Sequence, residues 1–415
     1  MKYLYRLFFA VIPVILEVAG LFSAKVRHFL RSRRGEIFRV SEFRNQFSGK
    51  LVWFHVASLG EYEQARPVIE SWKIKFPAWK VAVTFFSPSG YDHVSKRPQP
   101  MLDYLGYLPL DRRSDAFRFV SELNPDLVFF VKYDLWYHHI EALHERKVPM
   151  YLIAAVFRPE QVYFQSYGKF FQEMLRRLDW IFTQDQKSLE LLQKTGVTHV
   201  SMAGDTRFDR VAATASSPRL LPEIKNWVGN LTTIVVGSAW QEDMEVLISL
   251  INSKPGCRWI IAPHDLNPEP MNRWAKAIHL KSEKYSEGKF SADAQVLFID
   301  NIGMLSSLYQ FAKVAYIGGA FGKGLHNILE AIGFGIPVIF GKVKKTGKFP
   351  EALQSRLQGC GFEVKTVEEL KSVLGRLEED DFYQRSKESA KNWVQMNLGA
   401  ADRIISQVIS RHSNL

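Results

Sequence analysis

The carboxylate best placed to do chemistry follows the first apolar run after residue 50. Residues 54–61 read Phe-His-Val-Ala-Ser-Leu-Gly-Glu, so the run leads through a serine and a glycine to Glu61. This order predicts a β-strand, a tight turn and a helix that begins near Glu61. Helix N–H groups should keep a carboxylate there ionised, as a general base that takes a proton from an alcohol must be. Taken alone, the segment favours a helix-capping glutamate.

A glycine-rich segment near residue 320 could bind a phosphate. Gly318 and Gly319 follow an apolar run, and residues 326–330 read His-Asn-Ile-Leu-Glu. Glycines let the backbone approach a phosphate, and a helix N-terminus supplies N–H donors. Glu330 follows Asn327 by three residues, so both should lie on one helix face, where a carboxylate could accept hydrogen bonds from a ribose diol.

Three further segments place polar side chains after predicted strands. Pro263 and His264 end an apolar run, although a lone histidine is more often structural than functional. Arg207 lies in Gly-Asp-Thr-Arg-Phe-Asp, where it could neutralise a phosphate or carboxylate. Lys132 and Asp134 flank a tyrosine after another apolar run, so they could share a face at the rim of a cleft.

The sequence carries no metal signature. It has no Asp-x-Asp, no His-x-x-x-His and only two cysteines, Cys257 and Cys360, which are about a hundred residues apart. That pattern fits neither a disulfide framework nor a zinc site, and buried structural thiols explain it. A bound nucleotide is therefore expected to be held by backbone dipoles and basic side chains, without metal or other cofactor.

Short apolar runs alternate with segments of helical spacing through most of the chain. This alternation predicts α/β architecture with parallel sheets. The predicted strands are residues 51–56, 81–85, 127–131, 150–155 and 180–183, and then 232–237, 259–262, 296–299, 314–317 and 337–340.

Composition divides the chain into five regions. They are an apolar helix with a basic cluster (1–34), a Rossmann-like domain (35–213), a small, polar, Pro-containing linker (214–230), a second Rossmann-like domain (231–395) and a C-terminal helix (396–415). Ligands of such sheets bind beyond the carboxyl ends of the strands, and two facing domains create a cleft.

The N-terminus predicts membrane association. Residues 7–24 are apolar apart from Glu17 and Ser23, and the first fifty residues hold ten Lys or Arg and three Glu in a protein of net charge +11. Basic residues beside an apolar helix attract anionic lipid headgroups and place the following domain on the cytoplasmic side. The helix could span the membrane or lie on it. A cleaved signal peptide and a buried core helix are alternatives, whereas no nucleic-acid-binding motif follows.

Taken together and in order, these motifs resemble the bacterial Kdo transferase family, which moves 3-deoxy-D-manno-oct-2-ulosonic acid (Kdo) from CMP-Kdo onto lipid A precursor. The family's Ser-x-Gly-Glu matches residues 58–61, its Leu-Pro-Leu-Asp matches residues 108–111, and its Thr-x-x-x-x-Gly loosely matches residues 84–90. Its Gly-Gly and Gly-His-Asn-x-x-Glu match residues 318–319 and 325–330. The resemblance extends from the N-terminus to about residue 365.

The resemblance implies a GT-B fold, that is, two Rossmann-like domains facing a cleft, with the acceptor on the first and CMP-Kdo on the second. It implies metal-independent, inverting transfer to the lipid A precursor at the bacterial inner membrane. Glu61 falls on the catalytic base, and Asp134 and Arg207 on two charged groups that stabilise the transition state. The implied CMP-Kdo-binding residues are Pro263, His264, Ile302, Gly303, Met304, Gly318, Gly319, Asn327, Ile328, Leu329 and Glu330.

The chain departs from the family pattern at several charged positions. The family's Glu-x-Glu-Leu-Trp is Lys-Tyr-Asp-Leu-Trp at residues 132–136, and Arg207 replaces a lysine. Pro-Arg-His is reduced to Ala-Pro-His at residues 262–264, and Gly-Glu-Leu has become Gly-Met-Leu at residues 303–305. A divergent lineage of the same enzyme explains these changes best. Alternatives are a GT-B lipid glycosyltransferase that uses a UDP-sugar, a nucleotide-sugar epimerase, and a non-catalytic lipid-binding descendant.

Overall fold

The chain folds into two compact units. A computed structural model describes residues 1–288, 290–322, 324–344 and 346–412. Met1–Asp209 and the C-terminal segment from Gly399 form the first unit, and Arg210–Leu398 form the second. The chain therefore leaves the first unit after Asp209 and returns to it at Gly399.

The first unit is built on a seven-stranded sheet in which every pairing is parallel. The strand order is β3-β2-β1-β4-β5-β6-β7, so the order reverses between β1 and β4. Ligands of such sheets bind outside the carboxyl ends of the strands at this reversal. The strands are β1 Leu51–Val56, β2 Lys80–Phe85, β3 Tyr104–Tyr107, β4 Leu127–Val131, β5 Met150–Ala155, β6 Trp180–Thr183 and β7 Val200–Met202.

Helices connect these strands and cover both faces of the sheet. Trp53 and Phe130 pack on one face, and Phe54 and Phe129 pack on the other, as successive side chains of buried strands must. The helices are α1 Lys2–Phe22, α2 Ala24–Arg31, α3 Glu36–Arg44, α4 Leu59–Lys75, α5 Pro88–Ser95, α6 Arg113–Leu123, α7 Tyr137–Glu145, α8 Lys169–Arg176, α9 Gln186–Lys194 and α10 Arg207–Ser216.

The N-terminal helix α1 is long and apolar enough to cross a membrane, judged by length and composition only. It nevertheless lies against the first unit. Phe9 is buried, and the Tyr5 hydroxyl donates to Asp111 Oδ2 at 2.6 Å. Asp111, from the Leu-Pro-Leu-Asp motif, also accepts hydrogen bonds from the backbone N–H groups of His138 and His139 at the start of α7. This motif aspartate therefore fixes two helices.

The second unit repeats this architecture. Its seven parallel strands follow the order β10-β11-β9-β8-β12-β13-β14, with the reversal between β8 and β12. The strands are β8 Thr233–Ala239, β9 Arg258–Pro263, β10 Ser282–Lys284, β11 Val296–Phe298, β12 Val314–Ile317, β13 Val338–Gly341 and β14 Gly361–Val364. The helices are α11 Pro222–Val228, α12 Gln241–Asn252, α13 Pro268–Ala277, α14 Leu305–Leu308, α15 Leu329–Ile332, α16 Pro350–Gln358, α17 Val367–Arg376, α18 Asp380–Asn397 and, returning to the first unit, α19 Ala400–Arg411.

One segment differs from the sequence expectation, and the packing of a second segment was not predicted. The range 214–230, expected to be a linker, contains the end of α10 and all of α11, because Ile224 and Trp227 are buried. The final helix α19 buries Ile404 and Ile405 in the core of the first unit. Asp209 secures that return, since its carboxylate accepts from the N–H groups of Gly399 and Ala401 at 2.6 and 2.8 Å.

Candidate functional site

Glu61 lies in the first turn of α4, directly after β1. Only 8% of its surface is exposed, and its Oε2 accepts a hydrogen bond from the Ala57 N–H at 2.5 Å. This contact resembles the capping that the sequence offers as the simpler explanation, although Ala57 precedes the N-cap residue Ser58. It also fixes the carboxylate at the carboxyl end of β1, where the strand order reverses. Glu61 therefore has both a hydrogen bond to the backbone before the helix and a position suitable for catalysis.

Asp134 lies beyond β4, on the other side of the reversal, and ends a buried hydrogen-bond chain. Its Oδ2 is 2.9 Å from His55 Nε2, and it accepts from the Trp136 indole N–H at 3.2 Å. His55 Nδ1 is 2.9 Å from the Thr84 hydroxyl, which also accepts from the Trp53 indole N–H at 2.8 Å. The four groups from Trp53 to Asp134 thus form one connected network.

The hydrogen-bonding capacities of its members give this network a direction. An indole N–H only donates and a carboxylate only accepts. Because Asp134 only accepts, Nε2 of His55 carries the proton that points at Asp134. In the neutral imidazole Nδ1 is then an acceptor, and the Thr84 hydroxyl donates to it. This chain orients the Asp134 carboxylate from the core of the sheet.

The electrostatic environment of Glu61 differs from the sequence expectation. Burial, and then the nearby negative charge of Asp134, raise the pKa of Glu61 above its ordinary value. The Ala57 N–H, Lys132 and His55 lower the pKa, but by less. Desolvation therefore outweighs the stabilisation by N–H groups on which the sequence expectation rested, and that Glu61 is ionised stays a prediction. A raised pKa makes the ionised carboxylate a stronger base.

Lys132 lies beside this pair in an uncommon backbone conformation. Its φ is +64°, in the left-handed region that costs a non-glycine residue free energy. Its N–H donates to the Ile153 carbonyl at 2.8 Å, which continues the pairing with β5 beyond the end of β4. The turn at Lys132 thereby directs the chain back toward Asp134, and the lysine charge lowers the pKa of Glu61.

The guanidinium of Arg207 is held by the carboxylate of Asp205, which was not among the predicted site residues. Its Nε and Nη2 donate to Asp205 Oδ2 at 2.9 and 2.8 Å, and its backbone N–H donates to Asp205 Oδ1. Asp205 therefore balances the guanidinium charge and fixes its direction. Asp209, in the same motif, binds the start of α19 and has a structural role.

In the second unit, rings from three strand ends form a stack. Trp240 follows β8, His264 follows β9 and His326 follows β12. The rings of Trp240 and His264 lie 4.2 Å apart and nearly parallel, and those of His264 and His326 lie 4.5 Å apart. The Trp240 indole N–H donates to His326 Nε2 at 3.0 Å. Burial and the neighbouring His264 lower the pKa of His326 to about 4, so its imidazole is neutral near pH 7.

Gly318 and Gly319 lie at the end of β12, as predicted, and close packing requires both glycines. A Cβ on Gly318 would come within 2.4 Å of the Ser238 carbonyl, and one on Gly319 within 2.3 Å of the Gly324 carbonyl. The Gly319 N–H donates to Asp243 Oδ2 at 2.8 Å. The glycines therefore let the chain approach its own backbone, and their contact with a phosphate stays a prediction.

The predicted pair Asn327 and Glu330 is in contact. Asn327 Nδ2 donates to Glu330 Oε1 at 3.2 Å, and Asn327 Oδ1 accepts from the Leu329 N–H at the start of α15. Asn327 thus precedes the helix rather than sharing its face. Burial raises the pKa of Glu330, and the charge of Arg210 opposes this. Ile328 and Leu329 are buried, so their side chains belong to the core.

The remaining predicted donor residues occupy the loop before α14 and the end of β9. Gly303 has a φ of +96°, Ile302 is exposed, and Met304 is buried directly before α14. Pro263 is the last residue of β9. The roles of Met304 and Pro263 stay predictions.

Four residues with clear contacts at these strand ends were missed as site residues. They are His55, Thr84, Trp240 and Asp243. Asp243 is buried and accepts from the backbone N–H groups of Gly319 and Trp240 and from the Tyr316 hydroxyl. His55 and Thr84 are polar residues within apolar runs. That position could have identified them, because a buried polar group needs a hydrogen-bond partner. Trp240 is a tryptophan three residues after the end of a predicted strand, which is the signal that could have identified it.

The side chains that could ligate a metal ion do not cluster in the described residues. Across the described ranges, no group of three His, Cys, Asp or Glu side chains is arranged to hold a metal ion. The expectation that the nucleotide is bound without metal stays a prediction.

Comparison with known proteins identifies relatives of this chain. Residues 30–210 match the family model of the 3-deoxy-D-manno-octulosonic-acid transferase (kdotransferase). The 3-deoxy-D-manno-octulosonic acid transferase of Rickettsia bellii is 24% identical over 99% of both chains. That of Haemophilus influenzae is 26% identical over 95% of this chain and 94% of its own. The chain is a relative of the Kdo transferases. The resemblance predicted from the motifs is thereby confirmed.

The fold is shared more widely than this family. The crystal structure of UDP-GlcNAc 2-epimerase from Neisseria meningitidis bound to UDP-GlcNAc superposes with a TM-score of 0.62 and 15% identity, over 88% of this chain and all of that one. At this identity the likeness shows the fold alone. Two Rossmann-like units of the GT-B type, with an apolar N-terminal helix, are thus confirmed for this relative of the Kdo transferases.

Proposed function

We propose that the protein transfers Kdo from CMP-Kdo to the lipid A precursor lipid IVA, with inversion, in lipopolysaccharide core biosynthesis. The cytoplasmic face of the bacterial inner membrane is the proposed location. One observation carries this proposal: in a relative of the Kdo transferases, the motif glutamate Glu61 lies buried at the strand reversal, beside Asp134, with a raised pKa. That combination suits a general base.

Glu61 begins the proposed reaction. Its ionised carboxylate takes the proton from a sugar hydroxyl of the acceptor, and that oxygen attacks the anomeric carbon of Kdo. The bond between this carbon and the CMP phosphate oxygen breaks, and its electron pair leaves with CMP. A single displacement of this kind inverts the anomeric configuration. Asp134, oriented by His55, strengthens the base because its charge disfavours ionisation of Glu61.

The donor is proposed to bind to the second unit without metal. The stacked rings of Trp240, His264 and His326 offer flat surfaces for a base or sugar. The segment from Gly318 to Glu330 is proposed to bind the nucleotide, as the family motifs imply. Arg207, oriented by Asp205, is proposed to stabilise the negative charge that develops on the leaving CMP.

Two enzyme alternatives make different demands on these residues. A UDP-sugar lipid glycosyltransferase would use the same base with another donor. An epimerase is supported by the fold likeness alone, and it does not require the apolar α1.

A product assay tests the proposed function. Purified full-length protein is incubated with lipid IVA and either CMP-Kdo or UDP-GlcNAc, and the lipid product is weighed by mass spectrometry. We expect a mass increase of one or more Kdo residues with CMP-Kdo only. An increase with UDP-GlcNAc instead would establish the second donor class. Absence of product with both donors would contradict transferase activity and favour the lipid-binding descendant.

A further inference from the structure

Helix α1 presents a continuous apolar face to solvent. Ten large apolar side chains between Tyr3 and Phe22 are exposed. At 3.6 residues per turn they fall within an arc of about 140° that contains no charged residue. Soluble proteins rarely expose a patch of this kind unless it binds a membrane or a partner.

Polar contacts hold the start of this helix against the first unit. The Lys2 ammonium lies 3.0 Å from Glu141 Oε1, and Arg6 lies 3.4 Å from the same oxygen. The Tyr5 hydroxyl donates to the buried carboxylate of Asp111. A helix anchored in this way lies along its own domain, so its exposed face meets lipid side-on.

A groove of about 670 Å³ runs beneath α1. Ten of its fifteen lining residues are apolar, and the volume lies within the range of roughly 300–1,000 Å³ that small-molecule sites show. Phe8 belongs both to the groove lining and to the exposed face of α1, so the two apolar surfaces are continuous. Its apolar walls include Phe9, Ile12, Phe29, Phe86 and Trp136.

The aromatic walls of the groove are held rigidly. Phe86 and Trp136 stack with ring centres 4.7 Å apart. The buried guanidinium of Arg33 lies 3.7 Å from the Phe29 ring centre and donates to the Phe86 carbonyl and, at 3.0 Å, to the Leu108 carbonyl. A preformed apolar groove costs less ordering when a flexible chain enters it.

Two short paths join the groove to Glu61. Trp136, at the groove wall, donates its indole N–H to Asp134, whose charge acts on Glu61. Ser87, also in the lining, donates its backbone N–H to the Ala57 carbonyl at 2.8 Å, and the Ala57 N–H binds Glu61. One end of the groove therefore lies next to the proposed base.

We infer that this groove binds one acyl chain of the lipid acceptor and that its Trp136 end presents the acceptor's sugar hydroxyl to Glu61. The inference rests on the proposed function for the identity of the acceptor. The occupant is an acyl chain because the lining is mainly apolar and continuous with the exposed face of α1, and because Lys25 at its rim suits an anionic headgroup.

Direct binding of a single-chain probe tests the groove without catalysis. Dodecyl phosphate, kept below its micelle concentration, is titrated into full-length protein by calorimetry. Ile12→Trp fills the groove from α1, and Ser89→Trp fills it from the opposite wall. Val14→Trp adds the same ring two residues further along α1, on the exposed face. We expect at least tenfold weaker binding for both groove variants and less than a twofold change for Val14→Trp. Equal binding by all four proteins would overturn the inference.

Kinetics with lipid IVA then connects the groove to transfer. Ile12→Trp should raise KM for the lipid acceptor at least tenfold and leave KM for CMP-Kdo unchanged. An equal rise for Val14→Trp would mean that general membrane contact explains the effect, and would overturn the inference. A wild-type dimer that forms with rising protein concentration, without probe binding, would assign the groove to a second copy instead. Wild-type protein that binds the probe but transfers no Kdo would overturn the proposed function and leave acyl binding intact.

Discussion

The two units use the same sheet architecture but place different chemistry where the strand order reverses. In the first unit, Glu61 and Asp134 flank the reversal between β1 and β4, and Lys132 lies beside them. In the second unit, the reversal between β8 and β12 is occupied by Trp240 and the glycines at the end of β12. Equivalent positions of one fold thus carry interacting charges in one unit and rings with tight turns in the other.

The buried acids at these positions show what this difference means. Asp243, in the second unit, uses its carboxylate inward, on backbone N–H groups and the Tyr316 hydroxyl. Glu61 uses one oxygen to accept from a backbone N–H, and burial and then the charge of Asp134 raise its pKa. Burial raises the pKa of Asp243 as well, so the two acids differ mainly in their hydrogen-bond partners. We therefore propose that acid–base chemistry belongs to the first unit and nucleotide binding to the second. The predictions below test that division.

Replacing the proposed base should have the largest effect. Glu61→Gln keeps the size of the side chain and removes the proton acceptor, so the transfer rate should fall by about 10²–10⁴-fold. Binding of CMP-Kdo, measured by calorimetry, should not change. Glu70→Gln is the matched control on the same helix, where Glu70 pairs with Arg66 on the surface. Near-normal turnover of Glu61→Gln would assign the residue to capping alone.

Removing the indole from the ring stack should affect the second unit only. A ring that stacks on a base contributes about 1–3 kcal/mol, so Trp240→Ala should raise KM for CMP-Kdo about tenfold or more. The rate at saturating donor should stay within about threefold. Trp240→Phe keeps a ring but loses the hydrogen bond to His326. Its KM for CMP-Kdo should therefore lie between those of the wild type and Trp240→Ala. A fall in kcat without a change in KM would contradict the assignment of this unit to binding.

Opposite charge changes around Glu61 should move its titration in opposite directions. Asp134→Asn removes a negative charge that raises the pKa of Glu61, and Lys132→Met removes a positive charge that lowers it. As pH falls, kcat/KM is lost when Glu61 binds a proton. The acid limb of kcat/KM should therefore move to lower pH in Asp134→Asn and to higher pH in Lys132→Met. Shifts in the same direction would exclude Glu61 as the titrating group.

The smallest expected effect concerns stability and His326. Its pKa is lowered from 6.5 to about 4 in the folded protein. Between these values the unfolded chain binds a proton that the folded chain does not, so this residue destabilises the fold as pH falls from 6.5 towards 4. His326→Asn should therefore lose less unfolding free energy than wild type between pH 7 and pH 5, measured by urea denaturation. If the wild type and His326→Asn lose the same unfolding free energy, a residue other than His326 is responsible for the loss.

The strands that the sequence did not predict share one position. They are β3, β7, β10 and β14, and each lies at an edge of its sheet. Inner strands are buried on both faces and appear as apolar runs, whereas β10, Ser282–Lys284, is only partly buried throughout. Edge strands therefore lack the signal that identified their neighbours, although the ten inner strands were predictable.

The contacts among the candidate site residues were likewise not predictable from local order along the chain. The motifs gave Glu61, Asp134 and His264, because these residues lie within five residues of the end of an apolar run. His55 and Thr84 lie inside such runs, and only the parallel register of β1 and β2 places their side chains in contact. The pairing of Arg207 with Asp205 likewise depends on the backbone at the start of α10, not on the spacing alone.

The sequence by itself determined the α/β architecture, the apolar and basic N-terminus, the family and the position of Glu61 after the first strand. Each of these depends on local order along the chain: a buried run, a turn residue, a motif. The tertiary structure decided the strand order, the return of α19 to the first unit and the groove beneath α1. It also decided the pKa direction of Glu61, because burial and the charge of Asp134 come from segments distant in the sequence. Desolvation and charge pairing act through space, so they cannot be predicted from residues that are adjacent in the sequence.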